Sequence, residues 1–423
     1  MSEPNPPSTE TIDDNQIHTG ECREVMDSMP ESSIHCCITS PPYWSQRDYG
    51  SDDQIGLEAS PEEFVQTLVD VGRSIRKVLR PDGSWWLNLG DTYSGGGIVG
   101  KPDDWDDMHD DENYPEESPA KTSSYPSKCK LLMPHRVAIA LIDDGWIVRN
   151  DAVWRKKGGG MPESVKDRLS TSMESVFYLV PRQKYWFDLD AIREPYAEHT
   201  VRTRHCQSKH GKRNSPDAPG THTHGGIHDK SSNRDDTMHP SGKNPGDLFV
   251  ESTASFPDAH FAVMPESLVE PLVKATCPPK VCDECGMAYG RETESETTFH
   301  SGSGRAGDKP SGKHSDRVQS NSGDYDIRMG PRTHTKTLGW LKQCDCDTDG
   351  TEPGIALDPF VGAGTVCKVA KDHGRRFVGI DLNPDYVSMA QARCGLDVDD
   401  PSVLSDEGQD SLGSFAATDG GCE

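Results

Sequence analysis

Apolar positions follow two alternating rhythms along this chain. Short apolar runs occur at 33–39 (SIHCCIT), 84–89 (SWWLNL), about 146–154, 175–180, 355–357 and 377–380, and each reads as a strand. Between them, Phe64, Leu68, Val71, Ile75, Val78 and Leu79 recur at a helical period, and Pro81-Asp82-Gly83 closes that segment. Further helical patterns cover 134–143, the stretch opened by Pro265 and carrying Leu268, Val269, Leu272 and Val273, and the segment after each of the last two strands, ending near Arg393. Strands alternating with helices predict an α/β fold with a largely parallel sheet covered on both faces.

Two stretches interrupt the rhythm. Residues 196–246 are rich in His, Ser, Gly, Lys and Arg with almost no aliphatic positions, and 291–337 has the same character. The expected organisation is a Pro-, Ser- and Glu-rich leader (1–14), a first half (15–195), a variable region (196–246), a helix segment (247–276), a cysteine-pair element with a long polar insert (277–347), a second half (348–396) and an acidic tail (397–423). The longest apolar run near the middle, 137–142, is far too short to cross a bilayer, and the opening residues lack the pattern of a secretory signal. A cytoplasmic protein is expected.

Acidic residues outnumber basic ones by 70 to 44, a net charge of −26, which ordinarily argues against a nucleic-acid partner. The excess is local, however. Residues 103–117 carry nine acids and 397–423 carry eight, neither with a Lys or Arg. Such an acidic balance also suits a halophilic protein, since at about 1 M salt the Debye length falls to about 3 Å and repulsion from DNA is largely screened. Arg202, Arg204, Lys209, Lys212 and Arg213, with His205 and His210, form a basic island that could meet phosphates or guanine edges; a solvated loop is the alternative.

The clearest chemical signal is 357–365 (LDPFVGAGT), a Gly-rich turn between a strand and a helix, where backbone can approach a ligand. Asp381 ends the next apolar strand, at the position where a carboxylate can accept hydrogen bonds from both ribose hydroxyls. The turn has no Walker lysine, which disfavours a nucleoside triphosphate. A second signal, 39–44 (TSPPYW), directly follows a strand. Pro41 and Pro42 hold the backbone stiffly extended, and a hydroxyl beside outward carbonyls makes an acceptor site for an amino group, with Tyr43 as a flat face for a base. Thirteen cysteines, several in close pairs, suit metal binding or reduced thiols better than disulfides. Cys282 and Cys285, followed by Gly286, with Cys344 and Cys346, offer two pairs of thiolates to one tetrahedral zinc; free thiols are the alternative, and Cys277 is a spare candidate. Cys36 and Cys37 read as core residues.

With both turns in view, the chain resembles the amino-methylating DNA methyltransferases that use S-adenosyl-L-methionine. In that family an FxGxG turn binds the cofactor and a (S/D/N)PP(Y/F/W) motif carries catalysis. Phe360, Gly362 and Gly364 match the first, and Ser40, Pro41, Pro42 and Tyr43 match the second. The catalytic motif precedes the cofactor motif, as in the permuted β group, whose target-recognition region lies between the halves. The resemblance implies a Rossmann-like class I methyltransferase fold, doubly wound, mostly parallel and circularly permuted. It assigns Asp358, Thr365 and Asp381 to the cofactor, with Gly20 and Glu21 in the place of a family Gly-Asp and Phe261 near the methionine end.

The segments RDYG (47–50), QIGLE (54–58), NLGD (88–91) and AIREP (191–195) resemble the same group. Trp154 and Lys156, with MPES at 161–164, resemble the wall of the base pocket, although Gly158-Gly159-Gly160 stands where relatives carry an Asn. Ser at position 40 is the form typical of N4-cytosine enzymes, whereas Asp or Asn is typical of N6-adenine ones. The resemblance thus implies site-specific transfer to cytosine N4 in double-stranded DNA, by base flipping and direct in-line transfer. N6-adenine methylation is the near alternative, and an inactive zinc-bearing DNA-binding protein is the alternative of another class. A cognate restriction endonuclease is a possible partner.

Overall fold

A computed structural model describes residues 15–47, 54–95, 120, 124–158, 165–197, 239, 241–256, 259–298 and 332–398. The chain divides into two compact units, one formed by 1–191, 246–290 and 342–423, the other by 192–245 and 291–341. The second unit therefore takes in nearly all of both polar stretches. Its described part includes a two-stranded sheet and an antiparallel bridge between Glu194 and Lys243, whose side chains also pair at 2.6 Å.

The elements in chain order begin with β1 (Gln16–Thr19), α1 (Cys22–Ser28), β2 (Ile34–Thr39), α2 (Pro61–Val78), β3 (Leu79–Leu89), α3 (Met133–Asp143), β4 (Ile147–Lys156) and β5 (Met173–Val180). There follow β6 (Leu248–Glu251), β7 (Ala254–Phe256), β8 (Ala259–Val263), α4 (Glu266–Thr276), β9 (Val281–Cys282), β10 (Gly290–Thr298) and β11 (Arg332–Leu341). The last are β12 (Thr351–Glu352), β13 (Ile355–Asp358), α5 (Thr365–Asp372), β14 (Arg376–Asp381) and α6 (Pro384–Arg393). The first unit is built on an eight-stranded sheet in the order β1-β14-β13-β2-β3-β5-β4-β6.

Local chemistry sets the helix boundaries. Ser60 caps α2 by accepting the Glu63 amide, Pro61 occupies the first turn where a missing N–H costs nothing, and Glu62 and Glu63 face the positive end of the helix dipole. Asn383 and Pro384 open α6 in the same way. Successive strand residues then face opposite layers. Trp85 and Leu87 of β3 join Leu357, Phe64, Leu68, Ile75 and Leu141 on the α1–α3 side. Trp86, Cys36, Ile38 and Ala356 pack with Leu272, Val366 and Val387 on the α4–α6 side.

The expected α/β sheet, mostly parallel with helices on both faces, is present, and β5 is its antiparallel member. β1, β14, β13, β2 and β3 are mutually parallel neighbours, as are β4 and β6, whereas β5 runs antiparallel to both β3 and β4. No helix of the described residues separates β4 from β5, and without a crossover two successive strands return antiparallel. The central pairing is long-range: Ala356 and Leu357 lie opposite Cys36 and Cys37. Because β2 and β13 are parallel, the Ser40 turn and the Asp358 turn leave the same edge of the sheet, outside the carboxyl ends of the strands where open α/β sheets bind ligands.

Candidate active site

One cavity of about 1170 Å³ lies at that edge, lined by Ser40 to Tyr43, by Asp358 to Ala363 and by Asp381, among others. On the side of the Gly-rich turn, Gly362 and Gly364 have φ of +48° and +78°, and a Cβ on Gly364 would lie 2.9 Å from the Ala390 Cβ of α6. Glycine at 364 is thus required twice, by its left-handed backbone and by the helix beneath it. The Asp381 carboxylate accepts the Gly362 amide at 2.9 Å and the Asn383 amide at 3.0 Å, one on each oxygen, so it holds together both turns that rim the cavity. Burial raises its pKa. Thr365 opens α5, and its hydroxyl accepts from Arg393 at 3.0 Å.

Asp358 is 2% exposed, and its Oδ1 accepts from Thr39 Oγ1 at 2.8 Å and from the Phe360 amide at 3.1 Å. Burial, reinforced by the nearby Asp381 charge, pushes its carboxyl up to about 8. Gly20 and Glu21 also line the cavity, but Glu21 serves as the N-cap of α1, accepting the Arg23 and Glu24 amides at 2.9 and 3.1 Å and pairing with the Arg23 guanidinium. The backbone of Phe261 lies in β8; its side chain falls outside the described residues.

Across the cavity, the Ser-Pro-Pro-Tyr segment is pinned by the loop at 54–58. The Ser45 amide donates to the Gly56 carbonyl at 2.7 Å, and Trp44 Nε1 donates to the Glu58 carbonyl at 2.9 Å. The Tyr43 ring lies so close to Gly90 that a Cβ there would approach its Cε2 to 2.4 Å. Three polar side chains converge on this ring's hydroxyl. Tyr43 Oη donates to Glu174 Oε2 at 2.6 Å, and Ser40 Oγ lies 3.2 Å from Tyr43 Oη. Asn88 Nδ2 lies 3.2 Å from Ser40 Oγ, 2.8 Å from Tyr43 Oη and 2.9 Å from Glu174 Oε2; with two hydrogens it serves two of the three at once. Lys156 Nζ pairs with Glu174 Oε1 at 2.5 Å and stands 5.3 Å from the centre of the Trp154 ring. Trp154 is itself buried, its indole N–H bound to the Glu251 carbonyl.

Two members of this cluster carry no role in the sequence reading. Asn88 appears there within a family-like segment without a function, and Glu174 does not appear at all. The sequence signal for Glu174 is an acid just ahead of the apolar run 176–180; its place opposite Trp154 comes from the β4–β5 register of the folded sheet. Lys156, expected to meet DNA, holds Glu174 in this structure. Arg202, Arg204 and Arg213, together with 161–164, lie outside the described residues.

The four cysteine sulfurs of Cys282, Cys285, Cys344 and Cys346 lie within 4.8 Å of one another. A tetrahedral zinc with Zn–S bonds of about 2.3 Å sets its sulfurs about 3.8 Å apart, so this donor set fits the ion in number, type and spacing. Gly286 turns the first knuckle at φ +68°, where a Cβ would meet Arg80 Nη1 at 2.7 Å. Arg80 donates to the Cys285 carbonyl at 2.9 Å, and His35 Nε2 to the Gly286 carbonyl at 3.0 Å. Lys342 donates to the Cys346 and Thr348 carbonyls on the other side. Cys277 stands apart from the four, fully buried, its thiol raised well above its usual value by desolvation. Cys36 is pushed up to about 12 and Cys37 is raised well above its usual value, both by burial, as befits core thiols rather than nucleophiles.

A Gly-rich turn and a Ser-Pro-Pro-Tyr segment side by side at the carboxyl edge of a doubly wound sheet make the layout of an α/β methyltransferase. The pattern of the N6/N4 DNA methylases matches residues 34–283 and 350–392, and the chain belongs to that family of DNA methyltransferases. It is 30% identical over 407 residues to the Type II methyltransferase M.SfiI of Streptomyces fimbriatus, covering 88% of this chain and 89% of that one. It is 29% identical over 377 residues to the Type II methyltransferase M.XycI of Xanthomonas campestris pv. cyanopsidis, covering 89% and 86%. A solved structure of the PvuII DNA methyltransferase (cytosine-N4-specific) aligns with 94% of this chain and 90% of its own, at 16% identity and a TM-score of 0.47.

Proposed function

We propose that this DNA methyltransferase acts on the exocyclic N4 of cytosine in double-stranded DNA, on a base swung out of the helix, with S-adenosyl-L-methionine as donor. The observation that carries the reading is the bond from Thr39, the residue before Ser40, to Asp358 at the head of the Gly-rich turn. It makes the amino-binding motif and the cofactor motif walls of one cavity. Serine at position 40 supports cytosine over adenine.

The cofactor supplies an electrophilic methyl on a sulfonium sulfur, and the chain's residues do the rest. Asp381 has one lone pair left on each oxygen after binding two amides, enough for a pair of ribose hydroxyls. Asp358, Phe360, Gly362, Gly364 and Thr365, with Gly20, Glu21 and Phe261, would enclose the remainder. The lone pair of an arylamine is delocalised into its ring and nucleophilically poor. Hydrogen bonds from that amino group to Ser40 Oγ and the Pro41 carbonyl favour a pyramidal nitrogen, with its lone pair directed at the methyl. Pro42 stiffens the turn, and Tyr43 offers its ring to the base. Positioning and electrostatics then supply most of the acceleration.

Zinc on Cys282, Cys285, Cys344 and Cys346 would be structural, since four thiolates close the coordination sphere. Arg202, Arg204 and Arg213 are the proposed phosphate contacts, and the Type II relatives support a cognate endonuclease as a partner. Incubating DNA with radiolabelled cofactor in high salt and digesting it to nucleosides tests the reading. Label in N4-methylcytosine is expected; label in N6-methyladenine moves the target to adenine, and no label leaves an inactive DNA-binding protein.

A further inference from the structure

Methyl transfer to an amino nitrogen raises a question the cavity itself answers. The C–S bond breaks with its electron pair left on sulfur, a C–N bond forms, and the nitrogen is left with one proton too many. That proton needs an acceptor.

The direction of the hydrogen bonds around Ser40 follows from valence. Ionised Glu174, paired with Lys156 at 2.5 Å, only accepts, so the single proton of Tyr43 goes to Glu174 Oε2 at 2.6 Å. Tyr43 Oη must then accept from Ser40 Oγ at 3.2 Å, since its own proton is committed. The Asn88 amide cannot present its oxygen to this cluster without facing the carboxylate, so it too donates. Ser40 Oγ therefore has its proton pointed at Tyr43 and a lone pair to offer an amino group. Glu174 is a cavity-wall residue on β5, and no other use for its charge appears among the described residues beyond Lys156 and this chain of bonds.

We infer that Glu174 is the terminal proton acceptor of the reaction, reached through Ser40 and Tyr43. As the amino N–H passes its proton to Ser40 Oγ, the Ser40 proton moves to Tyr43 Oη and the Tyr43 proton to Glu174 Oε2. The nitrogen ends neutral and Glu174 ends as a carboxylic acid, which discharges to solvent through the cavity. Lys156 holds the Glu174 carboxylate in place between turnovers, and Asn88 holds the two hydroxyls in line. Glu174 acts through its neighbours and does not touch the base.

The inference rests on Ser40 as the residue that holds the target amine. The test compares wild type with Glu174→Gln, Tyr43→Phe and the double variant. Single-turnover methylation is followed on a duplex carrying the sequence found modified in expressing cells. Base extrusion is followed by the fluorescence of 2-aminopurine at the target position. Gln keeps the size of Glu174 and an oxygen for Tyr43 but takes no proton. Each single change should slow methyl transfer about a hundredfold, within the range of proton-transfer catalysis, with cofactor affinity and base extrusion within about twofold.

Cutting one wire twice costs no more than cutting it once, so the double variant should match the slower single. A Glu174→Gln rate within threefold of wild type, a multiplicative double variant, or equal loss of base extrusion overturns the relay. Should Glu174→Gln not fold, Tyr43→Phe carries the test, and a full rate there overturns it. An active wild type with an unaffected Glu174→Gln defeats the relay alone; a wild type that leaves no label in DNA defeats the reading of Ser40 and the relay with it.

Discussion

Thr39 Oγ1 donates to Asp358 Oδ1 across 2.8 Å, joining residues 319 positions apart in the chain. The bond ties the last residue of β2 to the last residue of β13, where both are buried. Thr39→Val preserves the shape and removes the donor. A buried carboxyl left one bond short costs about 1–3 kcal/mol, which urea unfolding should register together with weaker cofactor binding.

Asp358 also makes stability depend on pH. Its folded pKa, about 8, lies above the unfolded value near 3.8, so between those limits the folded state binds the extra proton. Stability from this group is therefore full at low pH and is lost as pH rises toward 8, by up to about 1.4 kcal/mol per pH unit. Asp381 is raised as well and slopes the same way. The unfolding free energy of the cofactor-free protein should fall between about pH 6 and 8, and Asp358→Asn should flatten that slope without abolishing it. An unchanged slope in the variant refutes the assignment.

For Ser40, the expected outcome is a split between chemistry and binding. Ser40→Ala should lower turnover by about a hundredfold or more while the cofactor dissociation constant moves within about twofold. Equal losses in both would remove Ser40 from the chemical step.

Gly90 is a test of Tyr43 placement that leaves Tyr43 intact. A methyl at Gly90 would come within 2.4 Å of the ring, so the ring must move and take its hydroxyl away from Glu174. Gly90→Ala should remain folded by circular dichroism yet lose methylation rate by about tenfold or more, as small misplacements at reacting centres do. Wild-type rates would mean the ring has another seat.

His35 links the cysteine knuckle to the sheet. The Ile355 amide donates to His35 Nδ1 at 3.1 Å, which fixes the proton on Nε2, and that nitrogen donates to the Gly286 carbonyl. Burial, followed by the Arg80 charge, lowers its pKa to about 3, so the ring stays neutral. Stripping the proposed zinc with a chelator should thus lower the melting temperature and the methylation rate together, and Cys282→Ser should do the same. Protein free of zinc as purified, with unchanged melting in Cys282→Ser, would dispose of the metal.

The sequence carried the helix periods, the strand runs and both motif turns, because each is written in adjacent residues. It did not carry the reversal of β5, which depends on what joins two strands rather than on the strands themselves. Nor did it carry the use of Glu174 and Lys156. Their partnership follows from a cross-strand register around Trp154 and Glu174, and register is a property of the folded sheet. Glu21 illustrates the converse, a residue legible by family position whose observed hydrogen bonds serve a helix cap.

The pairing of Leu357 with Cys37 has a kinetic side. A ribosome releases β2 long before β13, and closing so large a loop is entropically slow. Until then one side of β2 is an open edge of the sheet, a template for foreign strands. The middle of this sheet is closed late, so chaperone demand and aggregation during synthesis should be set by the arrival of residues 355–358.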